Sequence, residues 1–251
     1  MELQFMGTGA ADWDISTRRE GEFFRRLTSV RINDDLIIDF NGETPDFLEA
    51  SGGSVGGVRD ILITHTHSDH YSNAAVNRYF GPGTTLWADE KALPHLGTTA
   101  SVQRAMPLYT PVQVGRYTVL AVEANHLVED SDEQPLHYVI FDGSRRIFWG
   151  CDGAWLRTRA WRAIREFSYD LVVFDGTLSD KEGDFRIFEH NDLNMIAGMT
   201  AAFREQGMLA PGGKVMISHM SRYSQREHQD LAAYLEPLGI LPAYDGLRVE
   251  I

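Results

Sequence analysis

The sequence predicts an α/β sandwich, two sheets packed face to face with helices outside, on three observations. Short strand-like runs recur along the whole of the 251 residues, two longer stretches carry helical periodicity, and the order is strands first, then strands alternating with helices, then a closing strand. The length suits one domain, spanning 1–251, better than two. A hydrophobic content of 43% supplies a core and excludes disorder.

The runs follow in chain order. LQFM (3–6) leads into a glycine turn, GTG (7–9); SVRI (29–32), LIIDF (36–40), DILIT (60–64) and TTLWA (84–88) come next. YTVLAVEA (117–124), HYVIFD (137–142), RIFWG (146–150), DLVVFDG (170–176), KVMIS (214–218) and LRVEI (247–251) complete the set. They are short and rich in β-branched and aromatic side chains, as strands are. Between the early runs, SGGSVGG (51–57) reads as a loop. The stretch 154–167, AWLRTRAWRAIREF, places Trp155, Leu156, Trp161, Ile164 and Phe167 on one helical face. The stretch 191–207, NDLNMIAGMTAAFREQG, gathers Leu193, Ile196, Met199 and Phe203, with Asn191 or Asp192 to cap its start and Gly207 to stop it. No repeat or low-complexity tract interrupts this order.

Composition narrows the function classes. The chain has 23 basic and 36 acidic residues, a formal net charge of -13. Phosphate contacts dominate nucleic-acid affinity, so this balance argues against nucleic acid as partner and leaves a small anion bound in a local cationic pocket. Cys151 is the only cysteine, which excludes an internal disulfide and a cysteine-based zinc knuckle. No apolar stretch approaches the roughly eighteen residues of a membrane span. The start, MELQFMGTGA, has neither a basic n-region nor a long apolar h-region, which points to a cytoplasmic protein.

The densest chemistry lies in HTHSDH, behind the strand DILIT. His65 and His67 fall on one side of an extended segment, and Asp69 and His70 follow at a turn into a helical stretch, so the four can converge on one small volume. Imidazole nitrogens with a carboxylate oxygen suit a borderline divalent ion such as zinc, and also manganese or iron. One loop leaves a metal undercoordinated. Three later strand ends carry metal-capable side chains: His126 after YTVLAVEAN, Asp152 after RIFWGC and His219 after KVMIS.

HTHSDH followed by these His, Asp and His positions resembles the metallo-β-lactamase-fold hydrolase superfamily, from the first strand and its GTG turn to the C-terminus. The resemblance implies a four-layer αββα sandwich and an enzyme holding two divalent ions, zinc or manganese ahead of iron. It implies His65, His67 and His126 on one ion, Asp69, His70 and His219 on the second, and Asp152 bridging them. Histidine rather than glutamate at position 67 argues against the flavo-diiron branch. Such a centre keeps net positive charge, attracts an anion and lowers the pKa of its bound water toward about 7. Paired ions about 3.5–4 Å apart stabilise attacking and leaving oxygens on phosphorus, which favours a phosphate ester as substrate.

HNDLN, followed by VMISHMSRYSQ and the ending YDGLRVEI, is similar to the phosphoribosyl cyclic phosphodiesterases of the carbon–phosphorus lyase pathway. That similarity implies a small phosphodiester substrate, a phosphoribosyl cyclic phosphate, opened by in-line attack of a metal-bridging hydroxide. His190 would be general acid or phosphate contact, and with the metal-ligating Asp69 it completes the catalytic candidates. From its position just ahead of a helix, His190 is expected to shift toward its neutral form. A carboxylic ester, lactone or thioester hydrolase, or a non-catalytic metal-fold binding protein, are the alternatives. Family habit also implies a homodimer built through glycines and aromatics of the first 50 residues. In one respect the chain departs from these relatives. Their cysteine-rich N-terminal insertion binds a structural zinc, completed by a histidine three residues past the last active-site ligand; here 10–29 has no cysteine and that later position is Arg222. Arg18, Arg19, Arg25, Arg26 and Arg222 are instead candidates for a phosphate or carboxylate contact, or a solvated basic turn. Asp39 and Asp175 are candidates to accept a ring N–H from a ligating histidine. Cys151 and His137 read as core and structural residues, and His95 and His228 as surface ones.

Overall fold

The computed structural model describes residues 1–20, 23–97, 101–181 and 183–251. They form two compact units, each made of separate stretches of chain. The first comprises residues 1–107, 128–136 and 244–250. Its sheet contains β1 (Glu2–Gly7), β2 (Ser29–Ile32), β3 (Leu36–Ile38), β4 (Asp60–Leu62), β5 (Thr85–Ala88), β6 (Val102–Ala105) and the last strand of the chain, β14 (Arg248–Glu250). The seven strands lie in the order β14-β1-β2-β3-β4-β5-β6. The pairs from β14 to β3 are antiparallel, and those from β3 to β6 are parallel. β3 and β4 are buried along their whole length, which is why they read as unbroken apolar runs. The helices α1 (Thr44–Ser51) and α2 (Asn73–Tyr79) send Phe47, Leu48, Ala75 and Val76 into one apolar cluster with Ile37, Ile61 and Leu86 of the sheet. α1 stops at Gly52, whose φ of 64 is a left-handed cap that glycine takes without strain. Ser72 caps α2 by accepting from Ala75 N at 3.3 Å.

The second unit comprises residues 108–127 and 137–243, with Ile251. Its sheet contains β7 (Val112–Val114), β8 (Tyr117–Glu123), β9 (Leu136–Phe141), β10 (Arg146–Gly150), β11 (Tyr169–Asp175), β12 (Leu209–Ser218) and β13 (Ile240–Pro242). They run in the order β13-β12-β11-β10-β9-β8-β7, parallel from β10 to β13. α3 (Thr158–Ile164), α4 (Leu193–Glu205) and α5 (His228–Leu235) cover it through Ala160, Ile164, Ile196, Met199, Phe203, Leu231 and Leu235. Phe203 is the centre of this packing. Its ring lies 5.5–6.2 Å, centroid to centroid, from those of Phe148, Trp161, Tyr169 and Phe174.

The 191–207 stretch folds as its pattern predicts: Asp192 accepts from Met195 N at 2.7 Å and Gly207 lies just beyond the end with φ 67. The 154–167 stretch does not. Its helix is shorter at both ends, because Arg157 is extended and leaves Trp155 and Leu156 outside α3. A Cβ placed at Gly198 of α4 would lie 3.4 Å from Trp155 Cη2, so that indole touches α4 while remaining exposed. No helix of the described residues is long and apolar enough to cross a membrane.

Candidate metal centre

In the first unit the chain leaves β4 and turns back on itself. His70 N and Tyr71 N both donate to His67 O at 2.9 Å, which folds HTHSDH into a compact turn. His65 Nε2 and His67 Nδ1 stand 3.0 Å apart, and Asp69 Oδ2 is 3.5 Å from His70 Nε2. Asp39, just past β3, orients this turn. His70 Nδ1, Thr64 N and Thr64 Oγ1 all donate to its carboxylate at 2.8 Å. That commitment of Nδ1 makes His70 Nε2 the nitrogen that could ligate a metal. Burial pushes the Asp39 carboxyl above its usual range, against the pull of His70 and Thr64. A second buried carboxylate, Glu133, accepts from Thr66 N at 3.2 Å and from the Thr66 hydroxyl, and so braces the residue between His65 and His67. Glu129 Oε2 approaches His67 Nε2 at 3.4 Å.

In the second unit, His126 follows β8, Asp152 follows β10, Asp175 ends β11 and His219 follows β12. Asp152 Oδ2 lies 3.5 Å from both His126 Nε2 and His219 Nε2. Asp152, Asp175, His190 and His219 form one cluster whose ligand atoms are all within 4.8 Å of one another. Asp175 here does what Asp39 does in the first unit. It faces His219 Nδ1 and His190 Nδ1, both at 3.2 Å, and accepts from Thr177 N and Asn191 N at 3.0 Å. Both carboxylates are buried, which by itself raises a carboxyl pKa. In Asp152 the rings of His126, His219 and His190 outweigh burial and hold it well below the usual range. In Asp175, His190 and His219 do the same.

His190 differs from expectation. A helix start predicts a neutral ring, yet Asp152 Oδ1 at 3.0 Å and Asp175 at 3.2 Å outweigh both that influence and burial, so its pKa is raised well above the ordinary histidine value. His137, by contrast, is pulled down to about 4 by burial and is neutral, its Nε2–H donating to Asp152 O at 3.2 Å. A Cβ on Gly153 would come within 2.8 Å of that nitrogen, so the residue after Asp152 must be glycine. Cys151 is buried with its thiol 3.8 Å from Phe174 O, as a core residue. His95 is exposed and His228 partly so.

These donor sets fit a divalent ion. Two ligand atoms at 2.0–2.1 Å from one tetrahedral ion stand about 3.4 Å apart. The 3.5 Å separations around Asp152 and between Asp69 and His70 match that edge and are too long for good hydrogen bonds. Nitrogen and carboxylate donors of this mixture suit zinc, manganese or iron.

The N-terminal arginines divide. Arg25 Nη1 donates to Thr8 Oγ1 at 2.7 Å, and burial lowers its pKa to about 10. Arg26 is buried between Asp46, at 2.6 Å, and Asp245, at 3.4 Å. Both serve the interior of the first unit; Arg18 and Arg19 are exposed, and Arg222 is half-buried. Sequence reasoning missed Thr64, Thr177 and Glu133. The two threonines could have been found from their position beside strand-end carboxylates or histidines, whereas nothing local marks Glu133.

Two mixed sheets, each flanked by helices, with histidines and aspartates collected at their strand ends, match the α/β sandwich class of the metallo-β-lactamase fold. The chain belongs to the β-lactamase superfamily: the family model described as beta-lactamase superfamily domain matches residues 38–220. Similar solved structures include the metallo-β-lactamase fold protein YhfI from Bacillus subtilis, 13% identical, with a TM-score of 0.76 over 100% of this chain and 99% of that one. Zn(2+)-bound PqqB from Methylobacterium extorquens is 15% identical, with a TM-score of 0.77 over 100% of both chains. A diphosphatase of the PhnP family is 17% identical, with a TM-score of 0.76 over 100% of this chain and 97% of that one. No curated protein matches the sequence.

Proposed function

We propose that this chain is a hydrolase of small phosphodiesters that works with two divalent metal ions. His65, His67 and His126 would hold one ion, Asp69, His70 and His219 the other, with Asp152 shared between them. The observation that carries this reading is the Asp152 carboxylate, whose Oδ2 stands 3.5 Å from both His126 Nε2 and His219 Nε2. One carboxylate oxygen at ligand spacing from two imidazoles assigned to different ions is what a bridging ligand requires. The ions, when bound, would supply a nucleophile at neutral pH and positive charge for the phosphoryl oxygens.

The chain's own residues then set the geometry. Asp39 and Asp175 hold Nδ1 of His70 and His219, so that Nε2 of each ring turns to the centre. His190 has Nδ1 committed to Asp152 and Asp175, so the proton it can give away is the one on Nε2. In the proposed reaction that proton goes to the departing sugar oxygen. The similarity of fold to a PhnP-family diphosphatase supports phosphorus over carboxyl chemistry, and the HNDLN segment favours a cyclic phosphate of the phosphoribosyl type.

The test is hydrolysis of bis-para-nitrophenyl phosphate beside a lactone panel. Turnover of the phosphodiester should disappear on chelation and return with zinc or manganese. Asp152→Ala should lower both the metal content and the rate. Phosphodiester turnover no faster than that of chelated protein, alongside metal-dependent lactone opening, replaces this reading with the carboxylic ester one.

A further inference from the structure

Immediately before His190 the chain makes a short 3-10 turn, Phe185–Phe188. Three residues per turn place positions i and i+3 on one face, so Phe185 and Phe188 stand side by side. Phenylalanine is among the most often buried residues, yet these two are 80% and 74% exposed. Tyr223, four residues after His219, is 81% exposed. Arg186 Nη2 donates to Ser224 Oγ at 3.4 Å and ties the turn to the segment that carries Tyr223.

We propose that this aromatic face is a stacking platform for a planar ring carried by the substrate, so that the phosphodiester hydrolysed here is a small nucleotide with its base rather than a bare sugar phosphate. The inference rests on the phosphodiesterase reading above and names a different substrate within it: a base occupies C1 of the ribose, so the phosphodiester would lie on other hydroxyls than in the phosphoribosyl type.

Position comes first. Phe188 is two residues from His190, which puts their Cα atoms within about 7 Å. Glu189 between them reaches His126, Oε2 to Nδ1 at 3.5 Å. The platform therefore starts at the edge of the ligand cluster, within reach of an organic group carried by a phosphodiester held there. Rigidity comes second. Asp184 accepts from Arg186 N at 3.0 Å and grips the Arg186 guanidinium at 3.0 and 2.8 Å, and Glu189 N and His190 N close the turn on Arg186 O at 2.9 and 2.8 Å. The turn is held in place before a ligand arrives, which lowers the ordering cost of binding.

Size and charge then select the occupant. An aromatic side chain offers about 150–250 Å². Phe185 and Phe188 together therefore offer about 300–500 Å², short of the roughly 800 Å² per partner that a stable protein interface buries. A second copy of the chain would find too little surface here, whereas one heterocycle matches it. The net charge of -13 disfavours a long polyanion, so the ring belongs to a mononucleotide-sized ligand.

The experiment uses the zinc-loaded full chain and two probes, adenosine 5′-monophosphate and ribose 5-phosphate, which share a phosphoribosyl group and differ in the base. Calorimetry should give at least about tenfold tighter binding of the nucleotide, the scale of stacking one base. In the F185A/F188A double variant that preference should shrink to near unity, and Phe188→Trp should keep it. Equal or undetectable affinities for the two probes in the wild type, or a preference that survives the double substitution, overturn the proposal. A wild-type dimer that becomes a monomer in F185A/F188A, read by sedimentation, also overturns it, since the face is then a subunit contact. Both side chains are exposed, and circular dichroism checks that the double variant remains folded. Hydrolysis of bis-para-nitrophenyl phosphate by the same wild-type sample separates the two failures. A base preference without hydrolysis removes the hydrolase reading alone, and hydrolysis without a base preference removes only the platform.

Discussion

Asp39, Asp152 and His219 each take a positive φ, 59, 57 and 58, one or two residues past the end of a strand. For residues with a Cβ this left-handed conformation is strained, and such strain persists where surrounding contacts over-determine it. At Asp39 those contacts are the three 2.8 Å hydrogen bonds to Thr64 and His70. Asp39→Asn keeps the size and the tolerance of positive φ but removes the charge that fixes the His70 ring. We expect metal retention to fall about 10- to 100-fold, read by competition with a chelator. Retention equal to the wild type would show that this carboxylate does not govern His70. Glu133 supports the other half of the same turn through Thr66, so Glu133→Ala should weaken retention in the same assay. Glu133→Gln, which keeps the accepting oxygen, should restore most of it. An alanine variant that holds metal as tightly as the wild type would reduce Glu133 to a loop anchor.

At the scale of elements, α4 is where local signals and tertiary packing agree. Asp192 caps it, Ile196, Met199 and Phe203 bury one face, and its start follows His190 and Asn191, which face Asp175. Asp192→Ala removes the acceptor for Met195 N and should cost about 1 kcal/mol. For a chain of this length that lowers the melting temperature by roughly 2–4 °C in a thermal scan. Elements of this kind are legible in a sequence because cap, periodicity and stop coincide. The long apolar strands β8–β12 are legible for a similar reason: each is buried enough to need an apolar run. β6 is not, because VQRA is largely exposed and carries no run; β13 is not, because it is three residues ending in a proline. The helix expected over 154–167 is shorter for the opposite reason: Trp155 and Leu156 share the apolar spacing, yet Arg157 is extended, Trp155 is exposed and Leu156 only partly buried, so no burial holds the first turn in helical form. The metal-capable residues were readable because imidazole and carboxylate at strand ends are rare in a core. Asp39 and Asp175 were readable in the same way, as carboxylates at strand ends; the left-handed backbone was not, because Asp and His in that conformation look like any other strand-end residue, nor was Glu133, whose partner lies 67 positions away.

The connectivity of the whole chain makes its last residues structural. β1 and β14 pair antiparallel, with Leu3 opposite Val249, so the first and last strands of the molecule are neighbours in one sheet. Asp245, just ahead of β14, accepts from Thr8 Oγ1 at 2.9 Å and from Arg26 N at 2.6 Å, and it lies 3.4 Å from the buried guanidinium of Arg26, which also meets Asp46 at 2.6 Å. Its own pKa is raised by burial against the pull of these hydrogen bonds and of Arg25 and Arg26. Removing Asp245 leaves Arg26 its closer partner Asp46 but takes the acceptor from Thr8 Oγ1 and Arg26 N, at a cost of about 1–3 kcal/mol. Asp245→Ala should therefore lower the urea midpoint by that equivalent. Asp245→Asn, which keeps the hydrogen-bond acceptor but not the charge, should fall between it and the wild type. Deleting residues 244–251 removes the same carboxylate together with the β14 ladder and exposes β1 as a sheet edge, so its loss should exceed that of Asp245→Ala. A truncated chain that unfolds at the wild-type midpoint would show that the first sheet closes without its last strand, and that the buried arginines take their compensation from Asp46 and Thr8 alone.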